Sequence, residues 1–189
     1  MSDDALSKRG HALEEEYFRR KDRELIEKLR HAAAAGRARS DMAARIGIDD
    51  PEALQELQAL GFTPETVILL PLVPVVRMAW ADGSVADAER VLIVKLARSR
   101  GVTEGSVADG MLSDWLTRQP APQVVASATR LIAGMLAAHP ADHPDLTVDS
   151  LVRYCESVAE ASGGIFGLHR ISTEERALLT SIAGALKAR

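Results

Sequence analysis

Three carboxylate side chains lie close together around one predicted turn. Asp82 precedes Gly83, and Asp87 and Glu89 follow in the first turn of the next predicted helix. Hard divalent cations such as calcium prefer oxygen ligands, so this spacing could supply two or three carboxylates to one ion, with backbone carbonyls completing the shell. The segment is not an EF-hand, because position six of such a loop would be Asp87 instead of glycine and position twelve would be Ile93 instead of glutamate.

The same residues also have a purely structural interpretation. Asp-Gly pairs form tight turns, and acidic residues in the first turn of a helix interact favourably with the helix dipole. On this interpretation Asp82 serves the turn, whereas Asp87 and Glu89 serve the start of the helix. The residues alone leave both interpretations open, and a divalent cation is the one cofactor that they suggest.

The second candidate site is the charge-dense segment between Lys8 and Ala35, which contains no proline and is followed by Gly36. The segment predicts a helix of roughly 20–25 residues with a thin apolar stripe among charges of both signs. Burying so many ionised groups is unfavourable, so we expect the helix to be exposed, or docked on a protein partner or a second copy through the stripe alone. The predicted partner-binding residues are Leu13, Tyr17, Phe18, Leu25 and Leu29.

The composition of the 189 residues favours a helical chain and excludes several classes of protein. Apolar residues make up 47% of the chain but aromatic residues only 4%, so the enrichment typical of strands is missing. A net charge of −4 is not the basic footprint of a nucleic-acid-binding protein. The single cysteine, Cys155, excludes a disulfide framework and a multi-cysteine zinc site.

Neither a membrane span nor catalytic chemistry is predicted. The most apolar run, residues 67–76, is interrupted by Pro71 and Pro74 and is far shorter than the roughly 20 residues that a span requires. The first residues lack the apolar stretch of a secretory signal, so we expect a cytoplasmic protein. No catalytic triad or phosphate-binding loop is apparent, so we expect no enzyme activity.

Helices must therefore position both candidate sites. Capping residues and prolines predict helix starts near residues 50, 64, 87, 103, 122, 147 and 172, and no segment alternates as a strand does. Residues 36–47 predict a short connector with one or two helical turns. The predicted fold is an all-α bundle of about seven to eight helices, in which residues 1–48 form a charged helical extension with its connector and residues 49–189 form a helical domain.

The helical domain contains an apparent internal repeat. Residues 78–83 align with 158–163, and residues 89–97 align with 175–183, with an insertion at 164–171 in the second copy. Each unit is a helix, a glycine turn, an acidic first turn and a second helix, and two such hairpins usually pack about a pseudo-two-fold axis. The residues predicted to be mostly buried are Leu92, Ile93, Leu96, Leu178, Leu179 and Ile182.

The segment 81–89, Ala-Asp-Gly-Ser-Val-Ala-Asp-Ala-Glu, resembles the signature of the TerB-like family, the bacterial all-α domains associated with tellurite resistance and stress response. The resemblance covers about residues 63–187 and includes the second, degenerate copy. It implies a helical bundle without catalysis, acting as a stress-linked interaction or regulatory module, with acidic residues that hold a divalent cation.

The charged helix has a separate resemblance. Residues 12–30, with an acidic triplet, Tyr-Phe-Arg and a basic stretch, are similar to the inhibitory segment of the F1-ATPase inhibitor family. In that family the helix inserts between ATPase subunits. The resemblance implies that Glu14, Glu15 and Glu16 meet arginines and that Tyr17 and Phe18 anchor in an apolar pocket.

Overall fold

The computed structural model describes residues 2–47, 50–138, 147–161 and 171–187, and all of their side chains except those of residues 2–13 and 138. Within these ranges the chain forms α-helices and one 3-10 helix, Val67–Leu72, and no strand, which confirms the predicted all-α bundle. In the same ranges no helix has the length and the apolar character needed to cross a membrane. The α-helices are α1 (Ser2–Ile46), α2 (Pro51–Ala59), α3 (Val73–Ala79), α4 (Asp87–Ser99), α5 (Val107–Thr117), α6 (Pro122–Ala138), α7 (Val148–Ala161) and α8 (Thr173–Lys187).

The chain divides into two compact units, Met1–Ser40 and Asp41–Arg189. The smaller unit consists of most of α1, and the larger unit contains the last turn of α1 together with all the other helices. Met42 and Ile46, one helical turn apart, belong to the core of the larger unit, with exposed fractions of 0% and 6%.

The prediction that the first helix stops before Gly36 is wrong, because α1 continues without a break to Ile46. One glycine in a helix interior costs about 1 kcal/mol relative to alanine. Alanine and arginine, which are strong helix formers, flank this glycine on both sides and offset that cost. The helix ends instead at Gly47, whose φ of 64° is the left-handed conformation that closes many helices.

Most of the other helix starts follow from capping chemistry that the sequence predicts. The side chains of Asp50, Ser106, Thr147 and Ser172 accept hydrogen bonds from backbone N–H groups in the first turns of α2, α5, α7 and α8, at 2.9–3.1 Å. These caps satisfy N–H groups that have no partner within their own helix. The structure therefore confirms the starts predicted near residues 50, 147 and 172. The start predicted at Thr103 lies three residues later, at Ser106, because Gly105 has a φ of 73° and ends a turn that precedes the helix.

The centre of the larger unit is formed by the 3-10 helix and α3. Pro71 and Pro74 interrupt the α-helical hydrogen-bond ladder, so the apolar segment begins as a 3-10 helix and restarts as α3, as the sequence predicts. Six of the seven residues of α3 are buried, and α3 packs against α6, α7 and α8. Apart from Arg77, α3 is apolar on all sides, which is typical of a central core element that other helices surround.

The residues predicted as the shared apolar stripe of α4 and α8 divide into two groups. Ile93, Leu179 and Ile182 are buried, as predicted, whereas their neighbours on the same two helices are only half-buried and pack at the edge of the core. These half-buried residues are Leu92, Leu96 and Leu178.

The hairpin of α3 and α4 and the hairpin of α7 and α8 share some features of the predicted duplication. Helices α3 and α7 pack against each other, and Met78 and Val158, which align in the sequence, are each 1% exposed. The turn of the second hairpin and most of its insertion, residues 162–170, lie outside the described residues. The duplication itself stays a prediction from the sequence.

Candidate functional site

The turn that leads into α4 is built by Asp82 and Gly83. Asp82 Oδ1 accepts a hydrogen bond from the backbone N–H of Ser84 at 3.1 Å, which is the contact of an Asx turn. Gly83 has a φ of 91°, a conformation that side chains other than glycine rarely adopt. The Asp82 carboxylate therefore shapes the turn, and both Asp82 and Asp87 are exposed.

Glu89 has a different environment from the other two predicted cation ligands. It is 2% exposed, and its Oε2 accepts a hydrogen bond from the backbone N–H of Ala86 at 2.7 Å. This is the glutamate half of a capping box, in which the residue three positions into the helix caps the N-cap backbone. Ala86 has no side-chain oxygen to return the bond, so the sequence contains only half of the usual signal.

The position of Glu89 raises its pKa from 4.5 to about 7. Burial is the largest cause, because it disfavours the charged form of the carboxyl group. The hydrogen bond from Ala86 opposes this change, and the nearby carboxylates of Asp82 and Glu175 add to it. Glu89 is thus a buried carboxyl group that can hold a proton near neutral pH.

Glu175 has the matching role at the start of α8. Its Oε2 accepts a hydrogen bond from the backbone N–H of Ser172 at 2.6 Å, and Ser172 Oγ accepts one from the N–H of Glu175 at 3.1 Å. This pair is the complete capping box that the sequence predicts. Glu89 and Glu175 are both buried, and each accepts a hydrogen bond from the backbone N–H at the N-cap of its helix. The two carboxyl groups are close enough for electrostatic repulsion to raise the pKa of Glu89.

The contacts around Asp82, Asp87 and Glu89 fit the turn-and-cap interpretation. Among the residues for which the structure describes side chains, no group of three or more His, Cys, Asp or Glu residues is arranged to hold a metal ion. The carboxylates of Asp82 and Glu89 each bond to a backbone N–H group, as described above. The divalent cation therefore stays a prediction from the sequence.

Four of the five predicted partner-binding residues have described side chains, and all four are exposed on α1. The exposed fractions are 48% for Tyr17, 62% for Phe18, 56% for Leu25 and 61% for Leu29. Ile26, which the prediction did not include, is 46% exposed and widens the apolar surface. The side chain of Leu13 lies outside the described residues.

Charged side chains surround these apolar residues, again as the sequence suggests. Arg19 bonds to Glu15 and Lys21 bonds to Glu24, both at 3.3 Å and on exposed positions. Such pairs contribute well under about 1 kcal/mol each, and they favour the helical conformation of α1 without any contact to another helix. Asp22 makes no ion pair or hydrogen bond with another side chain in the described part of the chain.

A groove that the sequence analysis did not predict lies between α6 and α8. It has a volume of about 1170 Å³, and alanine, glycine, valine, leucine and isoleucine form most of its walls. Arg77, on α3, lines it and makes no ion pair or hydrogen bond through its side chain with any described residue. Arg130 lines its edge but is already bonded to Glu56 of α2 at 2.5 and 2.6 Å.

The sequence held one signal for this groove. The residues of α6 at positions 126, 130, 133 and 137 follow helical spacing, and three of the four are alanine. Alanines at this spacing are equally typical of a helix face that packs tightly against a neighbour. The sequence of α6 alone therefore does not distinguish an open groove from a closed helix–helix contact.

The single cysteine, Cys155, is buried and unreactive. Cys155 is fully buried in α7, and burial raises the pKa of its thiol to about 12. The thiol is therefore protonated near neutral pH, and a protonated thiol is a poor nucleophile.

Comparison of the chain with protein families, with curated proteins and with solved structures finds no match. The resemblance to the TerB-like family therefore depends on the motif at residues 81–89 and its degenerate second copy, and the resemblance to the F1-ATPase inhibitor family depends on residues 12–30.

Proposed function

We propose that this chain is a non-catalytic interaction module that binds a protein through the apolar face of α1. The observation that carries the proposal is the exposure of Phe18, Leu25 and Leu29, which are 62%, 56% and 61% exposed on one helix. Large apolar side chains that are grouped and rimmed by charge are typical of a protein-binding surface. The larger unit serves as the folded body that carries the helix.

The face has the geometry of a helix that docks in a groove. Phe18, Leu25 and Leu29 are spaced seven and four residues apart, so they line one side of α1. Helices that bind in apolar grooves present anchors at this spacing. Tyr17 and Phe18 also pack edge to face, with ring centroids 5.8 Å apart, which limits the rotamer freedom that binding would remove.

The motif at residues 81–89 supports the biological setting that we propose. On the TerB-like resemblance, the protein is bacterial and cytoplasmic, and it acts in a stress response of the tellurite-resistance type. The F1-ATPase inhibitor resemblance gives one specific form of the same proposal, in which the captured partner is an ATPase.

The experiment compares partner capture by the full-length chain and by a variant with Phe18→Glu and Leu29→Glu. Both positions are exposed, so the substitutions leave the fold of the larger unit intact, and we expect them to abolish capture because a charge cannot enter an apolar groove without a large desolvation cost. The matched control is Val91→Glu together with Val107→Glu, at two apolar positions of the larger unit that are 67% and 63% exposed.

The control should capture the same partners as the unmodified chain. Equal capture by all three proteins would overturn the proposal that α1 is the binding surface. Circular dichroism spectra should be identical for the three, which shows that any loss is a loss of contact and not of folding.

A further inference from the structure

The groove between α6 and α8 has the shape and the lining of a site for a third helix. Its wall on α6 extends from Val125 to Ala137, which is about 18 Å at the rise of an α-helix. Small side chains such as Ala133 and Gly134 leave room for close approach of another helix backbone. The hydroxyl of Thr129, which also lines the groove, donates a hydrogen bond to the carbonyl of Val125 at 2.8 Å, so it does not need a partner from the occupant of the groove.

The apolar face of α1 matches this groove in length. From Phe18 to Leu29 the face extends about 16 Å along the helix. The groove and the face are both exposed on one copy of the chain, and each copy carries both. A reciprocal exchange between two copies would therefore cover all of these surfaces at once and close the assembly as a two-fold dimer.

Charge complementarity points to the same pairing. Arg77 is the one unpaired cation among the described residues that line the groove. Asp22 lies four residues after Phe18 and three before Leu25, so it projects from the apolar face of α1. Neither Arg77 nor Asp22 has an ion-pair partner among the described residues, and each is set in an apolar surface.

We propose that α1 of one copy docks in the groove between α6 and α8 of a second copy, with Asp22 against Arg77. The inference rests on the proposed function, because it names a second copy of this chain as the partner of α1. Phe18, Leu25 and Leu29 fill the groove, and the carboxylate of Asp22 neutralises the guanidinium group of Arg77 as both leave water.

The first test exchanges the charges and measures mass by sedimentation velocity on the full chain. The unmodified chain should form a dimer. Asp22→Arg and Arg77→Asp should each raise the dissociation constant of the dimer at least about tenfold, because two like charges then face each other in both grooves. An equimolar mixture of the two variants should dimerise as well as the unmodified chain, because the mixed dimer has an opposite-charge pair at both sites.

The second test blocks the groove without changing charge. A Cβ atom added at Gly134 meets no atom within 4 Å in the single chain, and Gly134 lines the groove, so Gly134→Leu adds a side chain where the groove is open. We expect it to prevent dimerisation. Gly110→Leu is the matched control, since Gly110 also lies in a helix, also has open space around it and is not part of the groove. The control should dimerise normally.

Two results would overturn the inference. A chain that sediments as a monomer at every concentration would assign the groove to another occupant, such as a helix of a different protein. A dimer that persists unchanged in Asp22→Arg and in Gly134→Leu would place self-association on another surface. Both results leave the proposed function standing if Phe18→Glu with Leu29→Glu still abolishes partner capture, so the two proposals fail separately.

Discussion

Replacing Met42 by alanine is expected to lower the free energy of unfolding by about 2–5 kcal/mol. Met42 is 0% exposed and belongs to the core of the larger unit, although it lies on the same helix as the exposed face. The substitution removes buried apolar surface and leaves a cavity that the packed surroundings cannot fill. Urea unfolding in dilute protein, where self-association does not contribute, measures the change.

Leu29→Ala is the matched control for Met42→Ala. It truncates a large apolar residue of the same helix, but at a position that is 61% exposed. The free energy of unfolding should change by less than about 0.5 kcal/mol. Equal losses in the two variants would mean that the N-terminal part of α1 is as much a part of the folded core as its last turn, which would contradict the account.

Replacing Glu89 by glutamine is expected to make stability less dependent on pH and to raise it above neutral pH. The pKa of Glu89 is raised from 4.5 in the unfolded chain to about 7 in the folded protein, so the folded state favours the protonated carboxyl group. The stabilisation is complete below about pH 4.5 and is lost as the pH rises through about 7. The unmodified protein should lose up to about 3 kcal/mol across this window from this group alone.

Glutamine tests this pH dependence because it keeps the acceptor oxygen that caps Ala86 and cannot ionise. Urea unfolding at about pH 5 and about pH 8 should show a smaller difference for Glu89→Gln than for the unmodified chain. Asp87→Asn is the control, since it removes a carboxylate from the same helix turn at an exposed position. A steep pH dependence that survives Glu89→Gln would show that another group is responsible.

The sequence predicted much of the fold because helix starts are local chemistry. Asp50, Ser106, Thr147 and Ser172 each cap a helix within three residues, so neighbouring residues are enough to place the start. Prolines also act locally, so Pro71 and Pro74 were enough to predict that the apolar segment is interrupted before α3. The helix end predicted before Gly36 was wrong because one glycine destabilises a helix only slightly, and the strong helix formers around it are enough to continue the helix.

The sites were harder to predict because they depend on packing between distant helices. Glu89 resembled an exposed first-turn acid or a cation ligand, and only the folded structure shows that it is buried near Glu175. The exposed face of α1 was predictable, since Phe18, Leu25 and Leu29 stand among charges in the sequence. The groove was not, because its lining comes from α3, α6 and α8, which are distant in the sequence and meet only in the folded structure.

Amide hydrogen exchange on the full-length chain, free and in its complex, measures directly whether the apolar face of α1 binds protein. Protection from exchange reports the local opening of a helix, and a docked helix opens less often than an exposed one. We expect amides of residues 14–34 to exchange more slowly in the complex, and those of α6 and α8 to slow with them when the partner is a second copy. Identical exchange of residues 14–34 in the free chain and in the complex would show that α1 is not the binding surface.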